Sequence, residues 1–183
     1  MDNWDFSRQT VVITGGSRGI GARMAHDFAK YGANVVIAGR NLEKAEETAH
    51  ELNNTYGVKA LPVACDVSNL EDIERLFAAT EKNFRTVDVL INSAGVNVTK
   101  PAVEVTEKEW NYILDVNLKG LFFCCQRAAK TMISQKKGKI INVSSNGGVK
   151  PLPVIAPYMS SKAAVIHLTK GLALEWARHN IYV

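Results

Sequence analysis

The chain has 183 residues, 46% of them hydrophobic, and a formal charge of +4, which gives enough apolar material for one core and, by length, one domain. The basic residues are scattered, which excludes the footprint of a nucleic-acid surface. No apolar run approaches a bilayer span, the N-terminus lacks the basic and apolar regions of an export signal, and Cys65, Cys124 and Cys125 have neither framework nor metal-ligand spacing. The expected context is a cytoplasmic protein with reduced thiols that acts on a small molecule, with no metal, nucleic acid or membrane partner.

Val11-Val12-Ile13 is a β-branched apolar run that breaks into Thr14-Gly15-Gly16-Ser17-Arg18-Gly19-Ile20-Gly21 and then into helix-forming sequence. Glycines at 15, 19 and 21 permit positive φ and close approach of backbone to ligand, and the first N–H groups of the new helix suit a pyrophosphate. The spacing G-x-x-x-G-x-G is not the commonest dinucleotide fingerprint, so the turn taken alone reads equally as a flexible connection. The helix carries Ile20, Met24 and Phe28 one turn apart, with Gly32 as its cap. Residues 35–38 form a second strand, Asn41 opens a polar helix that closes near Gly57, and residues 60–65 form a third strand interrupted by Pro62.

Ser68 with Glu71 reads as a capping box that starts the next helix, and residues 87–91 form the fourth strand. Thr106 with Glu109 repeats the signal and opens one long helix, 107–136, capped by Gly138, before a fifth strand at 139–143. Pro157 starts a last helix, 157–179, and Ile181-Tyr182-Val183 reads as the opening of a sixth strand. The alternation of strands and helices, with strands apolar on both faces, predicts an α/β fold: a doubly wound parallel sheet with helices on both faces, Rossmann-like. All of 1–183 is expected to be one such domain, with the sixth strand only begun and the C-terminus truncated.

Ligands of such sheets bind at the carboxyl ends of the strands. There the sequence places the glycine turn, Gly39-Arg40, Asp66, Asn92-Ser93-Ala94-Gly95 and Ser144-Ser145. The second strand ends without the acid that binds a ribose 2′-hydroxyl, and Arg18 with Arg40 reads either as a 2′-phosphate clamp, favouring NADP over NAD, or as solvated surface. Tyr158 and Lys162, four apart, share a helix face. An ammonium beside a phenol favours the phenolate, which makes Tyr158 a candidate acid/base and Lys162 its electrostatic partner. Ser145, thirteen residues before Tyr158, is either a donor to a developing alkoxide or a turn serine. Asn117 interrupts the apolar stripe of the long helix, and either bonds a backbone kink near Gly120 or holds a water that relays protons to Lys162.

These residues together resemble the short-chain dehydrogenase/reductase family. Thr14 to Gly21 matches its T-G-x-x-x-G-x-G motif, and Asn92 to Gly95 matches N-N-A-G except that Ser93 replaces the second asparagine. The resemblance implies a catalytic tetrad at Asn117, Ser145, Tyr158 and Lys162. It implies a cofactor site from Gly15, Ser17, Arg18, Gly19, Ile20, Gly21, Arg40, Asp66, Val67, Asn92, Ala94, Gly95, Tyr158 and Lys162. The implied reaction is metal-free hydride transfer between a nicotinamide cofactor and a small-molecule carbonyl or secondary alcohol; the two arginines make NADP(H) the preferred cofactor, with NAD(H) possible. It also implies a homodimer or homotetramer through the long helix and the last helix. The rival expectation is a catalytically inert nucleotide-binding or oligomerisation partner.

Overall fold

The structure, a computed structural model, describes residues 4–183. Six strands, β1 (Thr10–Thr14), β2 (Asn34–Gly39), β3 (Ala60–Ala64), β4 (Val89–Asn92), β5 (Gly138–Asn142) and β6 (Ile181–Tyr182), form one sheet in the order β3-β2-β1-β4-β5-β6. Every pairing is parallel, as the doubly wound reading requires. Pro62 is accommodated because β3 is an edge strand that pairs with β2 alone.

Side chains alternate across the strands and feed two cores. Val11, Ile13, Val35 and Ile37 pack with Ala25 and Ala29 of α1 (Gly19–Lys30) and with Ala45, Ala49 and Leu52 of α2 (Leu42–Tyr56). Val12, Val36 and Leu90 point the other way. They meet Leu76 and Phe77 of α3 (Leu70–Phe84), Cys124 and Ala128 of α5 (Leu121–Gln135), and Val165 and Trp176 of α6 (Ala156–Trp176). All three cysteines are buried and free, which agrees with their reading as core residues.

Asn41 caps α2 through the Lys44 amide, Gly57 closes that helix at φ 67°, and Thr106 with Glu109 forms the expected capping box of α4 (Glu107–Leu114). Other helix ends differ from expectation. The cap of α3 is Asn69, whose side chain accepts from the amides of Glu71 and Asp72, while the Ser68 hydroxyl donates to the Asp66 carboxylate instead. Either polar residue can cap, and the pull of Asp66 on Ser68 decides between them. Gly138 is no cap: Lys136 ends α5 at φ 56°, and Gly138 opens β5 where a Cβ would fall 2.3 Å from the Met132 sulfur. The last helix stops at Trp176 and continues as a 3₁₀ turn over Ala177–His179.

The expected long helix runs from Glu107 to Gln135 without leaving helical backbone, but it is not α-helical throughout. Between α4 and α5, Asp115–Gly120 form a π-helical turn. The wide turn lies where the backbone presses on the loop after β3, so closely that a Cβ on Gly120 would fall 2.4 Å from the Val67 carbonyl oxygen.

Candidate active site

The carboxyl edge of the sheet opens on a cleft of about 830 Å³, within the size range of ligand sites. Its central stretch lies over β1 and β4, where the strand order reverses.

The glycines of the first turn divide the labour. A Cβ on Gly15, which sits at φ 67°, would fall 2.9 Å from backbone atoms of Ala94, and one on Gly21 would fall 2.2 Å from the Gly15 carbonyl oxygen. These two let the turn press against the loop after β4 and let α1 press against the turn. Only Gly19, at φ 56°, has open space where its Cβ would stand. All three glycines line the cleft: Gly19 leaves the space, and Gly15 and Gly21 let its walls close up. The helix that follows has no side-chain cap and no acid in its first turn. Its N–H groups at Gly19, Ile20 and Gly21 are thus available to an anion.

At one end of the cleft, Ser17, Arg18, Arg40, Asn41, Lys44 and Asp66 line the wall. The Asp66 Oδ1 accepts from both the amide and the hydroxyl of Ser68, leaving its other oxygen as an acceptor for a ligand's N–H. Arg40 Nη1 donates to the Tyr112 hydroxyl at 3.3 Å. That bond holds the guanidinium above the ordinary arginine pKa, so it is charged throughout the working range.

The other end is formed by Ala94, Gly95, Val96, Asn97, Ser144, Tyr158 and Lys162. Pro157 sets the first turn of α6, and Tyr158 and Lys162 follow on one face, with the ammonium 5.8 Å from the phenol ring centroid. Lys162 is only 5% exposed. Its Nζ donates to the Val143 carbonyl oxygen at 2.8 Å, and burial draws its pKa below the usual lysine value.

Three expected site residues, Asn92, Asn117 and Ser145, are not among those that line the cleft. Asn92 is buried, and its Nδ2 donates to Asn142 Oδ1 at 2.9 Å and to the Cys125 sulfur at 3.1 Å. Asn117 does not bond the backbone near Gly120. Its Oδ1 accepts from the Val96 amide at 2.8 Å, and its Nδ2 donates to the Val96 carbonyl oxygen at 2.9 Å and to the Ser161 hydroxyl at 3.1 Å. Ser161 in turn donates to the Tyr158 carbonyl oxygen at 2.7 Å. Asn117 thus ties the loop that follows β4 to the helix that carries Tyr158. Ser145 Oγ accepts from the Gly147 amide at 3.1 Å and donates to Asn146 Oδ1 at 3.2 Å. Its neighbour Ser144 is the serine that lines the cleft, and the Ser144 hydroxyl donates to the Lys162 carbonyl oxygen at 2.9 Å.

Sequence reasoning passed over Lys44 and Ser161. Each carried a signal: Lys44 stands one helical turn after Arg40, and Ser161 one turn after Tyr158. The residues fit a nicotinamide dinucleotide, on the evidence of the uncapped helix and of a space at Gly19 that a single Cβ would invade.

A switch-point cleft built in this way is that of a doubly wound nucleotide-binding fold. Residues 9–183 match the family model described as short chain dehydrogenase, and the chain belongs to the short-chain dehydrogenase/reductase family of NAD(P)-dependent enzymes acting on alcohols and ketones. It is 37% identical to gluconate 5-dehydrogenase of Gluconobacter oxydans, over 100% of this chain and 71% of that one. It is 42% identical to 3beta-hydroxysteroid dehydrogenase 1 of Eggerthella lenta, over 98% of this chain and 69% of that one. Among solved structures, a putative short-chain alcohol dehydrogenase from Sinorhizobium meliloti superposes with a TM-score of 0.95 at 35% identity, covering 100% of this chain and 72% of the other. An NAD+-bound xylitol dehydrogenase gives 0.94 at 30% identity, covering 97% and 68%. Among the described residues no helix is long and apolar enough to cross a membrane.

Proposed function

We propose that the chain is a single NADP(H)-preferring domain that interconverts a carbonyl and a secondary alcohol, with Tyr158 as the acid/base. The observation that carries this reading is the convergence of Tyr158 with a desolvated Lys162, which among the described residues forms no salt bridge, at one end of the cleft, opposite the glycine turn. When bound, the nicotinamide supplies or accepts the hydride. Tyr158 gives its proton to the carbonyl oxygen in reduction and takes one from the alcohol in oxidation. Lys162, held by Val143, stabilises the phenolate charge that this leaves. Ser145 donates to the reacting oxygen: its proton is spent only on the exposed Asn146 side chain, an exchangeable bond, whereas that of Ser144 is committed to the α6 backbone. Asn117 acts through Val96 and Ser161 by fixing the walls of the site.

The NADP preference rests on Arg18, Arg40 and Lys44 along the ribose end and on the absence of a carboxylate at the end of β2. The free thiols suit a reducing, cytosol-like compartment. The relatives' named substrates, a sugar acid and a steroid, share only the secondary alcohol or ketone, so that group is the proposed substrate class.

Fluorescence titration with NADPH and NADH, followed by turnover of a panel of ketones and secondary alcohols, tests the reading. NADPH should bind the more tightly, and Tyr158→Phe should retain binding while losing about 10²–10⁴ of kcat. Binding without turnover of any carbonyl or alcohol would favour the inert nucleotide-binding partner instead.

A further inference from the structure

Arg40 and Tyr112 are 72 residues apart, yet their side chains meet at 3.3 Å. Arg40 follows β2 and lines the cleft beside Asn41 and Lys44, whereas Tyr112 lies on α4, reached only after the chain has crossed to the other half of the sheet. Among the described residues Arg40 makes no salt bridge, so its charge is uncompensated toward a ligand; the acid that acts on it is Asp66, through space. A guanidinium offers five N–H donors in a plane. Tyr112 engages Nη1, which leaves the Nε and Nη2 edge to face a phosphate in the two-bond manner that suits it.

Alone at the end of an exposed strand loop, an arginine is rich in rotamers, and ordering it on binding opposes affinity. A phenol that already holds one nitrogen removes part of that ordering. The phenolic oxygen accepts from Arg40, so its own proton remains to be donated. A hydroxyl orients the guanidinium by a hydrogen bond without neutralising it, whereas a carboxylate would cancel its charge. We propose that Tyr112 is a positioning residue for the 2′-phosphate of NADP(H), holding the Arg40 guanidinium across the ribose end of the cleft. The proposal rests on the NADP(H) reading and names the device that sharpens it.

Binding of adenosine 2′,5′-bisphosphate and of 5′-AMP to the full chain, each measured by calorimetry, separates the two statements. The variants are Tyr112→Phe, which keeps the half-exposed ring, Arg40→Ala, and the double variant. Tyr112→Phe should weaken the bisphosphate by about two- to ten-fold, the worth of one hydrogen bond, and leave 5′-AMP unchanged. Arg40→Ala should weaken the bisphosphate further, and adding Tyr112→Phe to it should have no additional effect, since the phenol acts through the arginine. Unchanged or tighter bisphosphate binding in Tyr112→Phe, or losses that simply add, would overturn the positioning role while leaving the NADP(H) reading intact. If the wild-type chain binds both ligands equally, the NADP(H) reading fails and the role of Tyr112 falls with it.

Discussion

Lys162 is a residue whose chemistry opposes its folding. Its ammonium is buried with one carbonyl partner and, among the described residues, no carboxylate, and burial lowers its pKa. Between that lowered value and 10.5 the unfolded chain binds the extra proton, so stability rises with pH across this window and the charged form weakens the fold below it. Lys162→Met should therefore flatten the rise of melting temperature as pH climbs toward 10.5, while kcat falls about 10²-fold or more. A thermal-melt series against pH, paired with turnover at each pH, checks both halves. Unequal glycines give a second residue-scale prediction. Gly19→Ala places a methyl in open cleft at φ 56°, for a backbone penalty of about 1 kcal/mol; it should fold and lose at least about ten-fold in NADPH affinity. Gly21→Ala, whose methyl would lie 2.2 Å from a carbonyl oxygen, should instead fail to yield stable protein.

At the scale of elements, the π turn between α4 and α5 joins fold to site. Asn117 mimics a peptide, giving and taking one bond with Val96, and its loss would strand both backbone groups. Asn117→Ala should destabilise by about 3 kcal/mol in urea unfolding, and Asn117→Asp by more, because a carboxylate would then oppose the Val96 carbonyl oxygen. At the other end of α4, bonds from the Thr106 amide, Lys100 and the Thr106 hydroxyl pull the Glu109 pKa down to about 2. A carboxylate with a depressed folded pKa stabilises above its unfolded pKa and loses that contribution as pH falls through the folded one. Glu109→Gln should therefore remove a share of the acid-induced loss of stability between about pH 4.5 and 2, read from urea midpoints against pH. The Thr106–Glu109 box was legible because both partners are local. Asn117 was conspicuous in sequence as a polar break in an apolar stripe, yet its partners were not, since Val96 and Ser161 come from other elements. The π turn itself was illegible for the same reason: what sets it is the contact of Gly120 with Val67, and no pattern within 107–136 records a distant carbonyl. Likewise, Gly138 imitates a helix cap in sequence and is required instead by Met132.

For the whole molecule, the order of strands followed from their alternation with helices, because right-handed crossovers leave few arrangements of buried parallel strands. What strand alternation leaves open is the outer surface, and there α6 is the informative element. Its inner face buries Val165, Leu172 and Trp176 against the sheet, whereas Ala163, His167, Gly171 and Leu174 lie along an exposed face, Leu174 being 84% exposed. A Cβ on Gly171 would meet nothing within 4 Å. Small residues flanking an exposed leucine allow another helix to approach closely, and the antiparallel face of a second copy would bring the same residues into register in a self-complementary contact. We therefore extend the proposed function to a homo-oligomer in which α6 meets its own counterpart. In that register Leu174 packs against the Ala163 end of the second copy, so Leu174→Glu would bury a carboxylate at each end of the contact and should shift sedimentation from an oligomer to a monomer. Because Tyr158 and Lys162 lie at the opposite end of α6, the variant should still bind NADPH, and any fall in its melting temperature should depend on protein concentration. A wild-type chain that sediments as a monomer at all concentrations, or a Leu174→Glu oligomer as tight as wild type, would show that this face stays in water.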